Sequence, residues 1–151
     1  MERRSLTDEQ RRMLFAPLPR EALKQHPTKR FLTVITPIYV LERLNNVFGV
    51  GNWEFRTEPV NVGAGTTGKG QMCVVKGILD IPEYGIHLEQ YGGNDNADMG
   101  DAYKGAATDA LTKIASYLGI GFDIYKGKRD VGAARESTDV AQEEYRQNVI
   151  R

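Results

Sequence analysis

Two stretches of this chain carry residue types at spacings that bind phosphates or cations. Gly63-Ala-Gly-Thr-Thr-Gly68-Lys69-Gly70 comes within one residue of the phosphate-cradling pattern G-x-x-x-x-G-K-[ST]. That pattern needs a helix directly after it, so that amide groups and the helix dipole meet the phosphates. Here the following segment reads as a strand, and Gly70 stands where a hydroxyl would hold magnesium. The loop is expected to be a hairpin connection whose Lys69 can meet an anion, and a nucleotide-dependent enzyme built on it is kept as an alternative. Asn94, Asn96 and Asp98 offer oxygens at the spacing that opens a calcium loop. Met99 then fills the glycine position, and Gly105 falls where a closing glutamate belongs. Asp98 and Asp101 have a simpler use as N-terminal caps of the helix that follows.

Groups for acid–base or nucleophilic chemistry are sparse. The chain has two histidines and one cysteine. His87 lies on an alternating segment beside Glu89, which suggests a cross-strand surface pair, and His26 precedes a proline in a basic region. Cys73 sits among apolar residues and reads as a small packed side chain. No catalytic residue, cofactor site or metal site is assigned.

The elements that position these residues follow from periodicity. Ser5 or Thr7 caps a first helix that must stop by Ala16, ahead of Pro17 and Pro19. Pro19 to Lys24 reads as one more helical turn, and Lys29 to Ile35 as a short extended run. Thr36-Pro37 opens a second helix with the stripe Ile38, Leu41, Leu44 or Asn45, and Phe48, ended by Gly49 and Gly51. From Asn52 the period becomes two. A strand through Phe55, Val60 and Val62, with Pro59 at a bulge or edge, is followed by Met72–Ile81 and Ile86–Tyr91. Gly92 to Gly100 reads as a flexible polar junction. Asp101–Leu118 is the longest helical pattern, its stripe formed by Tyr103, Ala106, Ala107, Ala110, Leu111, Ile114 and Leu118. The expected architecture is α+β: an antiparallel three-stranded meander packed on a long helix, a β-β-β-α core preceded by N-terminal helices. By composition the chain divides into a basic helical arm (1–28), a core domain (29–130) and a polar tail (131–151).

The chain has 151 residues and no net formal charge, with 20 basic and 20 acidic side chains. At 40% hydrophobic and 26% charged it has the composition of a folded domain. No apolar run approaches the roughly 18 residues of a membrane span, and Met-Glu-Arg-Arg-Ser does not open a secretory leader. A reducing cytoplasm is the expected location. Charge is unevenly spread. Residues 1–30 hold eight basic and four acidic groups, residues 31–100 four basic and eight acidic, and residues 101–151 eight of each. Lys126, Lys128 and Arg129 crowd together after the last strong helix. Localised basic regions around an acidic middle point to an anionic partner. The back of the long helix carries Lys104, Thr108, Thr112 and Ser116, with Asp101 and Lys113 flanking. Hydroxyls and ammonium groups on one face can donate to phosphate oxygens. Asp109, in mid-helix, is expected to cap or pair with something distant in sequence.

Three segments together resemble the RAD fifty-two single-strand annealing family and its short bacterial and phage members. Leu44-Asn-Asn-Val-Phe48-Gly49-Val-Gly51-Asn-Trp53 is similar to the family's helix ending in Phe-Gly before Gly and Trp. The strand ending Glu89-Gln-Tyr91-Gly92 is similar to its strand running into glycine-rich polar residues. Ala102-Tyr-Lys104-Gly-Ala106-Ala107-Thr108-Asp109-Ala110-Leu111-Thr112-Lys113-Ile-Ala-Ser-Tyr-Leu-Gly119 resembles its motif A-x-K-x-A-x-[ST]-D-[AG]-L-K-[RK]-A-x-x-x-[FL]-G. The resemblance spans roughly residues 29–125.

The resemblance implies a non-catalytic protein that forms rings or helical oligomers, lays single-stranded DNA in a basic groove and anneals complementary strands during double-strand break repair and recombination. It places Lys104 and Lys113 at DNA, with Lys29 and Arg30 nearest to a groove arginine ahead of the Phe-Gly helix. Two of three basic positions after Asp109 are here Thr112 and Ser116. Lys126, Lys128 and Arg129 are assigned as replacements for that lost charge, from this chain's own residues. Beyond single-stranded DNA and further copies of the chain, a single-strand DNA-binding protein is a candidate partner of the tail, with a nucleoid-associated cytoplasmic location. The alternative of the same class is a module that protects DNA ends or single strands without annealing them.

Overall fold

The computed structural model describes residues 2–26, 29, 31–64, 70–127, 145, 146 and 149. In chain order the elements are α1 (Asp8–Phe15), β1 (Leu23–Gln25), β2 (Thr33–Ile35), α2 (Pro37–Phe48), β3 (Glu54–Ala64), β4 (Gln71–Ile81), β5 (Ile86–Asn96), α3 (Met99–Tyr117) and α4 (Phe122–Tyr125). The chain forms two compact units, one of residues 1–4 with 51–114 and one of residues 5–50 with 115–151.

The first unit is the expected α+β core, an antiparallel meander in the order β3-β4-β5 with α3 packed on it. Its hairpins run in register from Glu54↔Asp80 to Ala64↔Gln71 and from Gln71↔Asn96 to Ile81↔Ile86. The register of β3 slips between Pro59 and Asn61, because proline has no amide to give the ladder. Cys73 and Val75 of β4 bury against Ala102, Ala106 and Ala110 of α3, with Phe55 and Tyr103 closing over them. Small side chains on both layers let the helix lie directly on the strands. A Cβ at Gly92 would collide with the Ala106 carbonyl and the Ala110 amide, and one at Gly77 would sit 2.8 Å from Ala110 Cβ. Burying an aliphatic side chain such as Ile78, Leu79 or Ile114 contributes about 1.5–3 kcal/mol. The N-terminal strap is tied to the Pro82–Tyr84 turn. Arg3 Nε donates to the Tyr84 carbonyl at 3.1 Å, and Arg4 Nη1 to Glu83 Oε1 at 2.8 Å.

Three expectations for this unit need correction. Gly92–Asn96 is not a junction but the continuation of β5, paired with Gln71–Val75. Gly92 serves the close approach of α3, and the polar residues that follow complete the ladder. The helix begins at Met99, with Asp98 Oδ1 accepting the Asp101 amide at 2.9 Å. Thr112 lies on no solvent face, being 8% exposed.

In the second unit, α1 opens with a reciprocal capping box between Thr7 and Gln10, and α2 opens with Pro37 in its first turn. The buried stripe of α2 is Val40, Arg43, Leu44, Val47 and Phe48, while Ile38, expected inside, is 62% exposed. Arg43 is the reason. Its guanidinium donates to the carbonyls of Met13 (2.8 Å), Ala16 (2.6 Å) and Pro17 (3.3 Å), satisfying the orphan acceptors at the end of α1. Tyr145 covers the same guanidinium, its ring centroid 4.0 Å away, and its hydroxyl accepts from Asn46 Nδ2 at 2.8 Å. Residues 20–22 make the expected turn as a 3-10 turn, but Leu23–Gln25 leave it as a strand paired with Thr33–Ile35. The expected extended run therefore starts at Thr33, because Phe31 and Leu32 belong to the connecting turn.

Candidate nucleic-acid interface

Each cation assigned from the sequence has its own setting. Lys104 is exposed on α3 and makes no ion pair among the described residues. Lys113 is exposed on the same helix, with Nζ 3.0 Å from Asp109 Oδ2. Nine residues at about 100° each leave these two lysines on opposite sides of the helix axis. Lys29 is exposed in the turn between β1 and β2, and Lys126 is exposed after α4 with Nζ 5.3 Å from the centre of the Phe122 ring. Lys29 and Lys126 belong to the second unit, Lys104 and Lys113 to the first. Arg30, Lys128 and Arg129 lie outside the described residues, as do Lys69 and most of the 131–151 tail.

The hydroxyl face of α3 does not survive as expected. Thr108 Oγ1 donates to the Gly105 carbonyl at 3.1 Å and Thr112 Oγ1 to the Asp109 carbonyl at 3.0 Å, so both protons are spent inside the helix. Asp109 behaves as its mid-helix position suggested. Its Oδ2 accepts the Gly93 amide of β5 at 3.0 Å and pairs with Lys113. Two cations of the basic arm are ion-paired, Arg4 with Glu83 and Arg11 with Asp8.

The sheet face opposite α3 is the unit's most ordered charged surface. Glu54, Asp80 and His87 align across it, then Arg56, Ile78 and Glu89, then Glu58, Lys76 and Tyr91. Arg56 Nη1 meets Asp80 at 3.1 Å, and Lys76 Nζ stands 3.5 Å from Glu58 and 3.9 Å from Glu89. His87 reaches Asp80 of β4 through Nδ1 at 2.5 Å and Glu89 of its own strand through Nε2 at 3.3 Å, so the surface pair expected with Glu89 runs along β5 and the cross-strand partner is Asp80. The Asp80 hydrogen bond above all, then that of Glu89, holds His87 above its usual value, while the bond to His87 pulls Asp80 down. Four carboxylates against Arg56, Lys76 and one histidine make this face anionic at neutral pH. It repels a phosphate backbone.

The motif-like loops are otherwise employed. Ala64 and Gln71 face each other across the β3–β4 hairpin, so Gly70 leads into a strand and not into the helix that a phosphate-cradling loop needs. Asn96 Oδ1 accepts the Asp98 amide at 3.1 Å and Asp98 caps α3. Cys73 is fully buried.

Sequence reasoning missed two groups. Arg43 carried a signal in lying on the phase of Val40 and Val47. Phe31, 83% exposed beside Lys29, carried one in being a large aromatic in a basic turn. No protein-family model matches the chain, and no curated protein is significantly similar to it.

Proposed function

We propose that this chain binds single-stranded DNA and anneals complementary strands, acting as a homo-oligomer in recombinational repair of DNA breaks. One observation carries the reading. A long helix bearing Ala102-Tyr103-Lys104, Thr108-Asp109-Ala110-Leu111 and Lys113 is seated on a three-stranded meander, the order and context of the annealing family that the sequence resembles. The alanines and Asp109 of that motif fix the helix on the sheet, which leaves the lysines as its outward chemistry.

The electrostatics support the same reading. Lys29, Lys104 and Lys126 have no ionic partner among the described residues, and Lys113 can exchange one oxygen anion for another. The anionic lattice opposite α3 confines a phosphate backbone to other surfaces. Scattered ammonium groups bind a backbone without reading sequence, as annealing of arbitrary strands requires. Further copies of the chain would join such patches into a continuous path. A single-strand DNA-binding protein at the tail and a nucleoid-associated cytoplasmic setting belong to the same proposal.

The test is binding of a fluorescent oligothymidine across a salt titration. The logarithm of affinity is expected to fall linearly with the logarithm of salt, and Lys104→Glu is expected to lower both affinity and slope. Binding that is flat in salt and indifferent to Lys104→Glu would overturn the assignment.

A further inference from the structure

We infer that the β1–β2 hairpin is a stacking platform for single-stranded nucleobases, with Phe31 as the aromatic surface and Lys24 and Lys29 as its phosphate contacts. The inference rests on the proposed single-strand binding and adds to it a site and a mode of contact. Phe31 is 83% exposed, the most of any large apolar side chain among the described residues. It does not stand alone, since Leu32 (42%), Val34 (39%) and Ile38 (62%) are exposed within seven positions of it. Solitary exposed apolar residues are ordinary on protein surfaces, whereas here four fall within eight consecutive positions.

The backbone holds this group in place. The His26 amide donates to the Leu32 carbonyl at 2.9 Å, and the Leu32 amide to the Lys29 carbonyl at 2.9 Å. The Lys29 amide donates to His26 Nδ1 at 3.0 Å. Three hydrogen bonds thus link His26, Lys29 and Leu32, the residue next to Phe31. In the ladder below, Leu23 pairs with Ile35 on the buried side and Lys24 with Val34 on the exposed side. An ammonium group and an apolar side chain therefore stand opposite each other on the outward side.

Charge selects the occupant. Residues 23–35 contain Lys24, Lys29 and Arg30 and no carboxylate. A second copy docking by apolar contact would have to leave these cations desolvated or supply acids to meet them. A single strand offers both required partners at once, base π-faces for Phe31 and phosphates for the lysines. A duplex does not, because its bases are already stacked.

The experiment measures affinity of the full-length protein for labelled oligothymidine by anisotropy, with oligomer mass followed by sedimentation. Phe31→Ala is expected to weaken binding about 5- to 100-fold with the salt slope unchanged. Phe31→Trp is expected to restore it, and Phe31→Leu is not. Lys24→Glu with Lys29→Glu is expected to lower both affinity and slope. With so exposed a ring, none of these changes touches the core. Wild-type-like binding by Phe31→Ala or Phe31→Leu overturns the platform alone. A fall in oligomer mass with Phe31→Ala, in step with the loss of binding, also overturns it and assigns the patch to subunit contact. A wild-type protein that binds no oligothymidine overturns the underlying function and the platform together.

Discussion

The Asp109 carboxylate of α3 accepts the Gly93 amide of β5 and the Lys113 ammonium through the same oxygen, each at 3.0 Å. One mid-helix acid thereby ties the helix to the end of an edge strand and restrains a lysine assigned to DNA. Asp109→Ala is expected to lower stability by about 1–2 kcal/mol, because the Gly93 amide loses its partner. In a chain of this length that is a fall of roughly 2–8 °C in melting temperature. Asp109→Asn, which keeps an acceptor, should lose less. An unchanged melting temperature for Asp109→Ala would show that the bridge does not hold the layers together.

Gly92 is a point of close backbone approach between helix and sheet. Gly92→Ala forces a methyl group against the Ala106 carbonyl and the Ala110 amide, so α3 must lift from β5. A loss of about 2–3 kcal/mol in urea unfolding is expected. Gly63→Ala is the control, since a Cβ there meets nothing within 4 Å. Equal stability of the two variants would contradict the packing described.

Arg43→Met is expected to cost about 3–5 kcal/mol, with unfolding measured in urea. The methionine fills the volume but leaves the Met13, Ala16 and Pro17 carbonyls without their donor. Arg43→Lys should recover part of the loss, since one ammonium cannot reproduce the guanidinium fork. A methionine variant as stable as the parent would remove Arg43 from the structural account.

How far the sequence shows these arrangements depends on whether a residue's neighbours are local. The period-two runs Met72–Ile81 and Ile86–Tyr91 and the helix behind them are legible because alternation and the 3.6-residue stripe are local patterns. Asp109 is legible as an anomaly, without its partner. Gly92-Gly93-Asn94 is misread because Gly92 is demanded by a helix that follows it in the chain. The phase of α2 is misread because Arg43 interrupts the apolar stripe with a charge, and only the end of α1 explains a buried guanidinium. The hydroxyls of Thr108 and Thr112 are misread because helix-internal bonding uses them first. Of the assigned cations, Lys29, Lys104, Lys113 and Lys126 are exposed as a binding role requires.

Stability should also depend on pH through His87. Its folded-state value is raised above 6.5, so its contribution is complete below about pH 6.5 and is lost as pH rises through the raised value. Asp80 is held below 3.8, and its contribution is present above about that pH and lost as pH falls through the lowered value. The pair therefore helps most between about pH 4 and 6.5. The stability difference between the parent and His87→Gln is expected to be larger at about pH 5.5 than at about pH 8.5, as read from urea midpoints. The same difference at both values would contradict this.

The rate at which two complementary labelled oligonucleotides pair, followed by energy transfer with and without the protein, tests annealing most directly. The account predicts duplex formation about tenfold or more faster with the protein, slowed by salt and by Lys29→Glu with Lys104→Glu. Strands that pair no faster in its presence would contradict annealing, and strands held bound but unpaired would show a protecting protein instead.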